Sequence, residues 1–344
     1  MTAVTLAVLL GTIAAWEIYC RTAEWLRPSL RNSDGLWAIT RDRIDREDGG
    51  VAIVGSSRVL FDINLATWRE LTGGLPIQLA LEGTNPAPFL THLAQETSFK
   101  GVLIVGVTEF LFFSPVPDVD DRYKTLVAFK QRTPTDRASQ WLSMNLFEPF
   151  AAFYDPDFAL FTILRRQPWW PARDGLRLQL PAVRKLANMD RNRQFLMWDR
   201  VERDPAFQKV ARDIWLAYLS APPPPIAPGT FMQHVQGVIA QAQSDVAAIR
   251  ARGGEVVFLR SPSAGPFLEL EHAAFPRQQF FDPLVKGTGA AGVHFEDFAD
   301  LQGFELPEWS HLAAGQTPAY TRALVPHLRA ALASRGTPRR ELGQ

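Results

Sequence analysis

Two short segments, far apart in the chain, carry side chains that could perform nucleophilic chemistry. The first is Gly-Ser-Ser-Arg at residues 55–58, which follows an apolar run. The second is LPEWSHL at residues 306–312, in which Glu308 and His311 are three residues apart. A carboxylate at this spacing can orient one imidazole nitrogen and leave the other free to take a serine proton. The chain order of serine, acid and histidine indicates serine-based acyl chemistry.

Further polar residues follow apolar runs and could complete such a site. Gly83-Thr84-Asn85-Pro86 comes after the second run, so the Gly83 amide and the Asn85 carboxamide could donate to an oxyanion. Thr108 and Glu109 follow the third run and could edge the pocket, but neither is a convincing oxyanion donor. Taken alone, Gly-Ser-Ser and Gly-Thr-Asn-Pro are equally typical of turns that cap a helix.

The elements that must position these residues are apolar runs separated by helical patterns. The predicted strands are 51–55, 77–81, 101–107 and 255–260, with a possible fifth at 293–295. The predicted helices are 64–73, 86–97, 231–252 and 313–334. Short continuous apolar strands alternating with helices indicate an α/β fold, a three-layer αβα sandwich with a parallel sheet. A serine at the end of the first strand would then lie where ligands bind in open α/β sheets.

A long segment interrupts this pattern, so we expect the core to be discontinuous, formed by 49–115 and 230–335. Residues 116–229 form an insertion, predicted to be mostly helical and to act as a lid over one edge of the sheet. Its tryptophans, among them Trp141, Trp198 and Trp215, suit packing, substrate binding or a membrane-facing surface.

The N-terminal segment is apolar enough to enter a membrane. Residues 2–16 carry no charge, and a helix extended to Cys20 would be about 28 Å long, near the thickness of a hydrocarbon core. We expect residues 1–20 to be an uncleaved anchor and 21–48 a helical stalk. A cleaved signal peptide and a buried N-terminal helix are the alternatives. Arginines follow this segment and none precedes it, which disfavours an exported catalytic domain.

Composition excludes several other classes of protein. Basic and acidic residues balance at 36 each, so no nucleic-acid partner is indicated. The single cysteine, Cys20, excludes an internal disulfide and a thiolate metal cluster. No metal and no organic cofactor are implied.

Taken together, the serine after the first strand, Gly/Asn after the second and acid-x-x-His before the last helix resemble the SGNH (GDSL-like) hydrolase family. The resemblance covers roughly 50–115 and 230–335. It implies Ser57 as nucleophile, His311 as general base and Glu308 as the orienting acid, with an oxyanion hole from Ser57, Gly83 and Asn85. Two departures are visible: the Gly-x-Asn-Asp block is absent after the third strand, and glutamate replaces the usual aspartate.

Within that family, the Gly-Ser-Ser form, the anchor and the Pro-Glu-Trp-Ser-His-Leu segment look most like extracytoplasmic partners of membrane-bound O-acyltransferases. This resemblance implies O-acyl transfer, of acetyl groups above all, to an exported or cell-surface polysaccharide through an acyl-serine. It also implies an inner-membrane, single-pass protein with a periplasmic domain and a multi-pass O-acyltransferase as partner. The alternatives are a carbohydrate or lipid esterase with the same triad, and a catalytically silent glycan-binding scaffold.

Overall fold

The computed structural model describes residues 2–47, 49–115, 124–165, 184–220, 229–334 and 342. Seven strands in these residues are numbered in chain order: β1 Val51–Val54, β2 Ile77–Gln78, β3 Val102–Gly106, β4 Ala187–Met189, β5 Phe195–Met197, β6 Glu255–Arg260 and β7 Ala291–His294. The α-helices in the same residues are α1 Thr2–Thr22, α2 Asp34–Arg46, α3 Ser57–Asp62, α4 Leu65–Thr72, α5 Ala87–Gln95, α6 Glu109–Phe112, α7 Lys124–Gln131, α8 Pro134–Leu142, α9 Leu160–Arg165, α10 Asp199–Arg203, α11 Pro205–Leu219, α12 Thr230–Ala251, α13 Gly265–Ala274, α14 Phe281–Thr288 and α15 Thr317–Ala333.

Five of the strands form one parallel sheet in the order β2-β1-β3-β6-β7. The predicted parallel sheet is therefore confirmed, and each predicted strand overlaps one strand of it. β2 is short, but the backbone N–H groups of Leu79 and Leu81 extend the pairing by donating to β1 and to Gly55. This strand order has a topological switch point between β1 and β3, and ligands in such sheets bind beyond the strand ends at that point.

Helices cover both faces of the sheet. Because side chains alternate along a strand, Ile53 and Ile104 face one layer, which α3, α4 and α15 complete. Leu103 and Val105 face the other layer, formed largely by α2, α5, α12 and α14. Four of these helices, α4, α5, α12 and α15, overlap the predicted ones, although α15 begins only at Thr317.

The segment expected to be a stalk, 21–48, packs on the domain instead of standing apart from it. Trp37 on α2 is fully buried, and its indole Nε1 donates to the carbonyl of Leu79 at 2.9 Å. Leu36 and Ile44 are buried as well. The stalk interpretation rested on the many charged residues in this segment, which lie around these apolar contacts.

The described part of the insertion contains helices together with an antiparallel hairpin, β4–β5. Met189 and Phe195 of this hairpin join the core layer that also contains α3 and α15. At the hairpin turn, buried Arg193 donates to the carbonyls of Gln78 and Ala80 at the end of β2. The insertion is thus tied to the sheet by hydrogen bonds from a side chain to the backbone as well as by apolar packing.

Of the described helices, α1 is the one long and apolar enough to cross a membrane, with 21 residues and a mean hydropathy of 1.7. Nearly all of its side chains are exposed, except at its C-terminal end, where Cys20 is buried. Such length and composition fit a membrane anchor and also a signal sequence.

Candidate active site

The two serines after β1 have different environments. Ser56 is buried, and its hydroxyl lies 2.7 Å from the hydroxyl of Thr108, which follows β3. Ser57 begins α3 and is partly exposed. Ser56 therefore joins the two strand ends at the switch point, whereas Ser57 remains available to a ligand.

Two glycines let α3 approach the sheet closely. A Cβ added to Gly55 would lie 2.3 Å from a methyl group of Val59 on α3, and one added to Gly106 would lie 2.5 Å from the same side chain. A larger residue at either position would clash with Val59, because non-bonded carbon atoms do not approach this closely. The glycine after β1 and the glycine at the end of β3 thus determine how close Ser57, at the start of α3, lies to the strand ends.

Glu308 and His311 form the pair that their spacing predicts. The imidazole Nδ1 lies 2.9 Å from Glu308 Oε1, which also accepts the backbone N–H of His311 at 2.7 Å. Since the carboxylate can only accept, Nδ1 donates and Nε2 carries the free lone pair. Nε2 is buried and has no hydrogen-bond partner among the described residues, so the predicted hydrogen bond from Ser57 Oγ is not formed in this structure. The ring is therefore oriented as a base with an open acceptor.

The turn that holds this pair is strained. Trp309, between the acid and the base, has a φ of 74°, a left-handed conformation that a bulky side chain rarely adopts. Such a residue costs about 1–3 kcal/mol and persists only where the surroundings enforce it. Here the carbonyl of Trp309 accepts from the backbone of Ala264 at 2.8 Å, and Arg212 lies over its ring.

Two aromatic residues support the pair from outside its own turn. Trp215 on α11, in the insertion, donates from Nε1 to Glu308 Oε2. Phe61 on α3 stacks on the His311 ring, with ring centroids 4.1 Å apart. Since α3 starts at Ser57, this stacking fixes the base against the helix that carries the predicted nucleophile.

A buried ionic network lies beside the same helix. Arg58 donates to Ser310 at 3.4 Å through Nε and to Glu271 at 2.6 Å through Nη2. Glu271 also accepts from Arg260, which in turn binds Glu109 at 2.9 Å. The network thereby links the residue after Ser57 to the residue before His311.

The charges in this network are unequally stabilised. Burial raises the pKa of Glu109, and its contact with Arg260 only partly offsets that effect. Burial also acts to raise the pKa of Glu271, but Arg260 and Arg58 outweigh it, so the net shift is downward. Two guanidinium groups on one carboxylate explain the difference, because an opposite charge in contact favours the ionised form.

Asp62, at the end of α3, is a second buried carboxyl group near the histidine segment. Its Oδ1 accepts the backbone N–H of Leu312 at 3.1 Å. Burial raises its pKa well above the ordinary value, because the hydrogen bond from Leu312 and the charge of Arg58 do not compensate for lost solvation.

Gly83 and Asn85, the residues predicted to complete the oxyanion hole, make fewer contacts with the other site residues than Glu308 and His311 do. Gly83 is exposed, with a φ of 60°, in the turn after β2. Asn85 uses its side-chain oxygen to accept from Ala87 N at 2.9 Å, at the start of α5. The carboxamide nitrogen of Asn85 is the group that stays available for a ligand, and the oxyanion role of both residues stays a prediction.

Sequence reasoning missed several supporting residues. Trp215 was identified only as an aromatic residue of the insertion, and its contact with Glu308 spans 93 residues. Arg58 lies inside the quoted motif, but its partner Glu271 has no local signal in the sequence. Thr108 and Glu109 were expected at the pocket edge, and both in fact bind residues of the site's frame.

Comparison with known proteins adds little to this description. No protein-family model matches the sequence, and no curated protein matches it. The crystal structure of TesA is similar to this chain over 82% of this chain and 98% of TesA, with 10% sequence identity and a TM-score of 0.34. The strand order and the two helical layers themselves define the α/β class of this chain.

Proposed function

We propose that this chain is an SGNH-type enzyme that transfers acyl groups through Ser57. The observation that carries the proposal is the orientation of His311: its Nδ1 is bound to Glu308 and its buried Nε2 is open, on a ring stacked against the helix of Ser57. A histidine with only a packing role has no need of a fully buried carboxylate and a strained turn beside it.

In the acylation step, Ser57 Oγ attacks the carbonyl carbon of an ester or thioester donor, and its proton passes to His311 Nε2. Glu308 stabilises the imidazolium that forms. The Ser57 backbone N–H, with Gly83 N–H and the Asn85 carboxamide, would bind the oxyanion. When the tetrahedral intermediate collapses, the bond to the leaving group breaks, Nε2 returns its proton to that group, and an acyl-serine ester remains.

In the second step, an acceptor hydroxyl loses its proton to Nε2 and attacks the acyl-serine, and the Ser57 oxygen leaves with that proton. A sugar hydroxyl as acceptor gives O-acyl transfer, and water gives hydrolysis. We favour O-acetyl transfer to an exported polysaccharide, because the Gly-Ser-Ser motif, the apolar α1 and the PEWSHL segment resemble extracytoplasmic members of the family. The esterase is the second candidate.

The same resemblance leads us to propose that α1 is an inner-membrane anchor, that the domain is periplasmic and that a multi-pass O-acyltransferase is its partner. An alkaline phosphatase reporter fused after Gln344 tests the location, since this reporter is active only when exported. A fusion that is produced at full length but has no phosphatase activity would exclude both the periplasmic domain and the polysaccharide acceptor.

Covalent labelling tests the nucleophile. A fluorophosphonate should modify the full chain at Ser57, and Ser57→Ala should abolish the adduct. Ser56→Ala is the matched control and should retain it, because the Ser56 hydroxyl is directed at Thr108. His311→Ala should slow labelling strongly while the protein stays folded. An adduct that persists in Ser57→Ala means that another hydroxyl is the nucleophile.

A transfer assay separates the remaining functions. The wild type is mixed with p-nitrophenyl acetate and an oligosaccharide, and mass spectrometry measures acetylated sugar against free acetate. Acetylated sugar supports the transferase, and acetate alone supports the esterase. A folded protein that neither labels nor turns over would favour the silent glycan-binding scaffold.

A further inference from the structure

In one segment of the insertion, apolar side chains are exposed and polar side chains are buried. In residues 141–150, WLSMNLFEPF, five of the six large apolar side chains are exposed: Trp141, Leu142, Leu146, Phe147 and Phe150, the last at 66%. The polar residues Ser143 and Glu148 of the same segment are buried, Glu148 at 1%. We call the five exposed residues the apolar rim. Scattered exposed leucines are ordinary on a protein surface, but a contiguous apolar patch marks an interaction site.

The rim is held in place from beneath. Glu148 accepts from the Ser143 hydroxyl at 2.6 Å and from the backbone N–H of Arg31 at 2.8 Å. Met144 packs into the core layer that contains α3 and α15. Because its inward residues are fixed in this way, the segment presents its apolar side chains outward in a defined arrangement.

The rim adjoins the C-terminal end of α1. Arg21 donates to the carbonyl of Phe150 at 2.8 Å, and Glu17 accepts the backbone N–H groups of Ala152 and Phe153 at 2.9 and 3.0 Å. The uncharged part of α1 ends just before Glu17. The rim is therefore at the level where α1 would leave the hydrocarbon core.

Aromatic residues in and just after α1 also suit a position at the membrane surface. The rings of Trp16 and Tyr19 stack with centroids 5.2 Å apart, and Trp25 is exposed. Tryptophan and tyrosine are enriched at membrane–water interfaces, where an apolar ring and a polar group are both accommodated.

We infer that the apolar rim inserts into the interfacial layer of the bilayer that α1 spans, so that the domain lies on the membrane in one orientation. The ligand of this surface is the lipid bilayer itself. The inference rests on the proposed anchor role of α1, but it does not depend on the catalytic role of Ser57.

Nitroxide labels on the full chain test it. Phe147→Cys, Leu9→Cys and Leu71→Cys are each made in a Cys20→Ser background and placed in lipid nanodiscs of phosphatidylethanolamine and phosphatidylglycerol, one chain per disc. Leu9 reports α1, and Leu71 is an exposed apolar residue of α4 outside the rim. The measurement compares relaxation by oxygen, which enters lipid, with relaxation by a water-soluble nickel chelate.

The label at Phe147 should lie about 5–10 Å below the headgroup boundary, as for interfacial helices, and the label at Leu71 should remain in water. Phe147 in water with Leu9 in lipid overturns the inference and leaves the anchor standing. Leu9 in water overturns the anchor and the inference together. A Phe147 label shielded from both reagents would indicate a protein contact instead of lipid and would also overturn it.

Discussion

Shortening the acid of the proposed triad should lower the proposed activity, even though aspartate is usual at the corresponding position of the family that the sequence resembles. In Glu308→Asp the carboxylate retreats by about 1.5 Å, one carbon–carbon bond. The bond of 2.9 Å to His311 Nδ1 would then lengthen beyond hydrogen-bonding distance. Backbone movement cannot easily compensate, because Trp309 is already strained at a φ of 74°.

The loss expected for Glu308→Asp is about 10²-fold in kcat/KM, the scale associated with a misplacement of about 1 Å. Glu308→Gln keeps the length but places an amide N–H₂ either against the Trp215 indole or against both N–H groups of His311. Its loss should reach about 10⁴-fold, as when a triad acid becomes an amide.

Hydrolysis of p-nitrophenyl acetate measures both effects, and thermal unfolding monitored by circular dichroism verifies that each variant is folded. Glu305→Asp is the matched control, since Glu305 is an exposed glutamate of the same segment. If Glu308→Asp keeps wild-type kcat/KM, the fit of the glutamate to this strained turn has no catalytic meaning. If Glu308→Gln does so, Glu308 is not the orienting acid.

Three further substitutions test the frame of the site. Trp215→Phe removes a hydrogen-bond donor to Glu308. It should lower kcat about tenfold, measured by turnover, and the unfolding free energy by about 1–3 kcal/mol, measured by urea unfolding. Unchanged values would exclude a supporting role for the Trp215 indole. Gly106→Ala should lower both activity and stability, because the added Cβ would lie 2.5 Å from the Val59 side chain. Adding Val59→Ala to the same protein should restore activity. If activity is not restored, the clash with Val59 is not the cause of the loss. Asp62 has a raised pKa in the folded state, so the folded protein holds the extra proton and stability should fall as pH rises from about 4, the unfolded value, to the folded pKa. In Asp62→Asn this fall, measured by urea unfolding across that range, should become smaller, and the remainder is expected from other buried carboxyl groups such as Glu109.

The sheet was predictable because its strands are short, continuous and apolar, and because glycines punctuate them. The last helix begins later than predicted because Ala314–Gln316, although compatible with helical periodicity, form a short 3-10 helix. Segment 21–48 was misjudged for a related reason: its charged residues dominate the pattern, whereas its long-range contacts, such as that of Trp37 with Leu79, have no local signal in the sequence.

In the candidate site, too, local contacts could be predicted from the sequence and long-range contacts could not. The Glu308–His311 contact is local, within three residues, so spacing alone predicts it. The choice between Ser56 and Ser57 came from family resemblance, and the physical distinction, one hydroxyl bound to Thr108 and the other partly exposed, depends on two strands meeting. Contacts that cross from the insertion to the core, such as that of Trp215, have no sequence signature because nothing near either partner constrains the other.

The contact of Trp215 changes what the insertion means for the proposed mechanism. A lid that only covers a site can be removed at the expense of substrate affinity, but α11 donates directly to the carboxylate that orients His311. The hairpin of the same insertion also secures the end of β2 through Arg193. Its apolar rim lies next to α1, because Arg21 of that helix donates to the Phe150 carbonyl. One segment therefore contacts the proposed acid, the strand before the predicted oxyanion loop and the proposed anchor. The proposed membrane attachment and the proposed catalytic geometry would thus depend on the same segment, and deletion of the insertion should abolish Ser57 labelling.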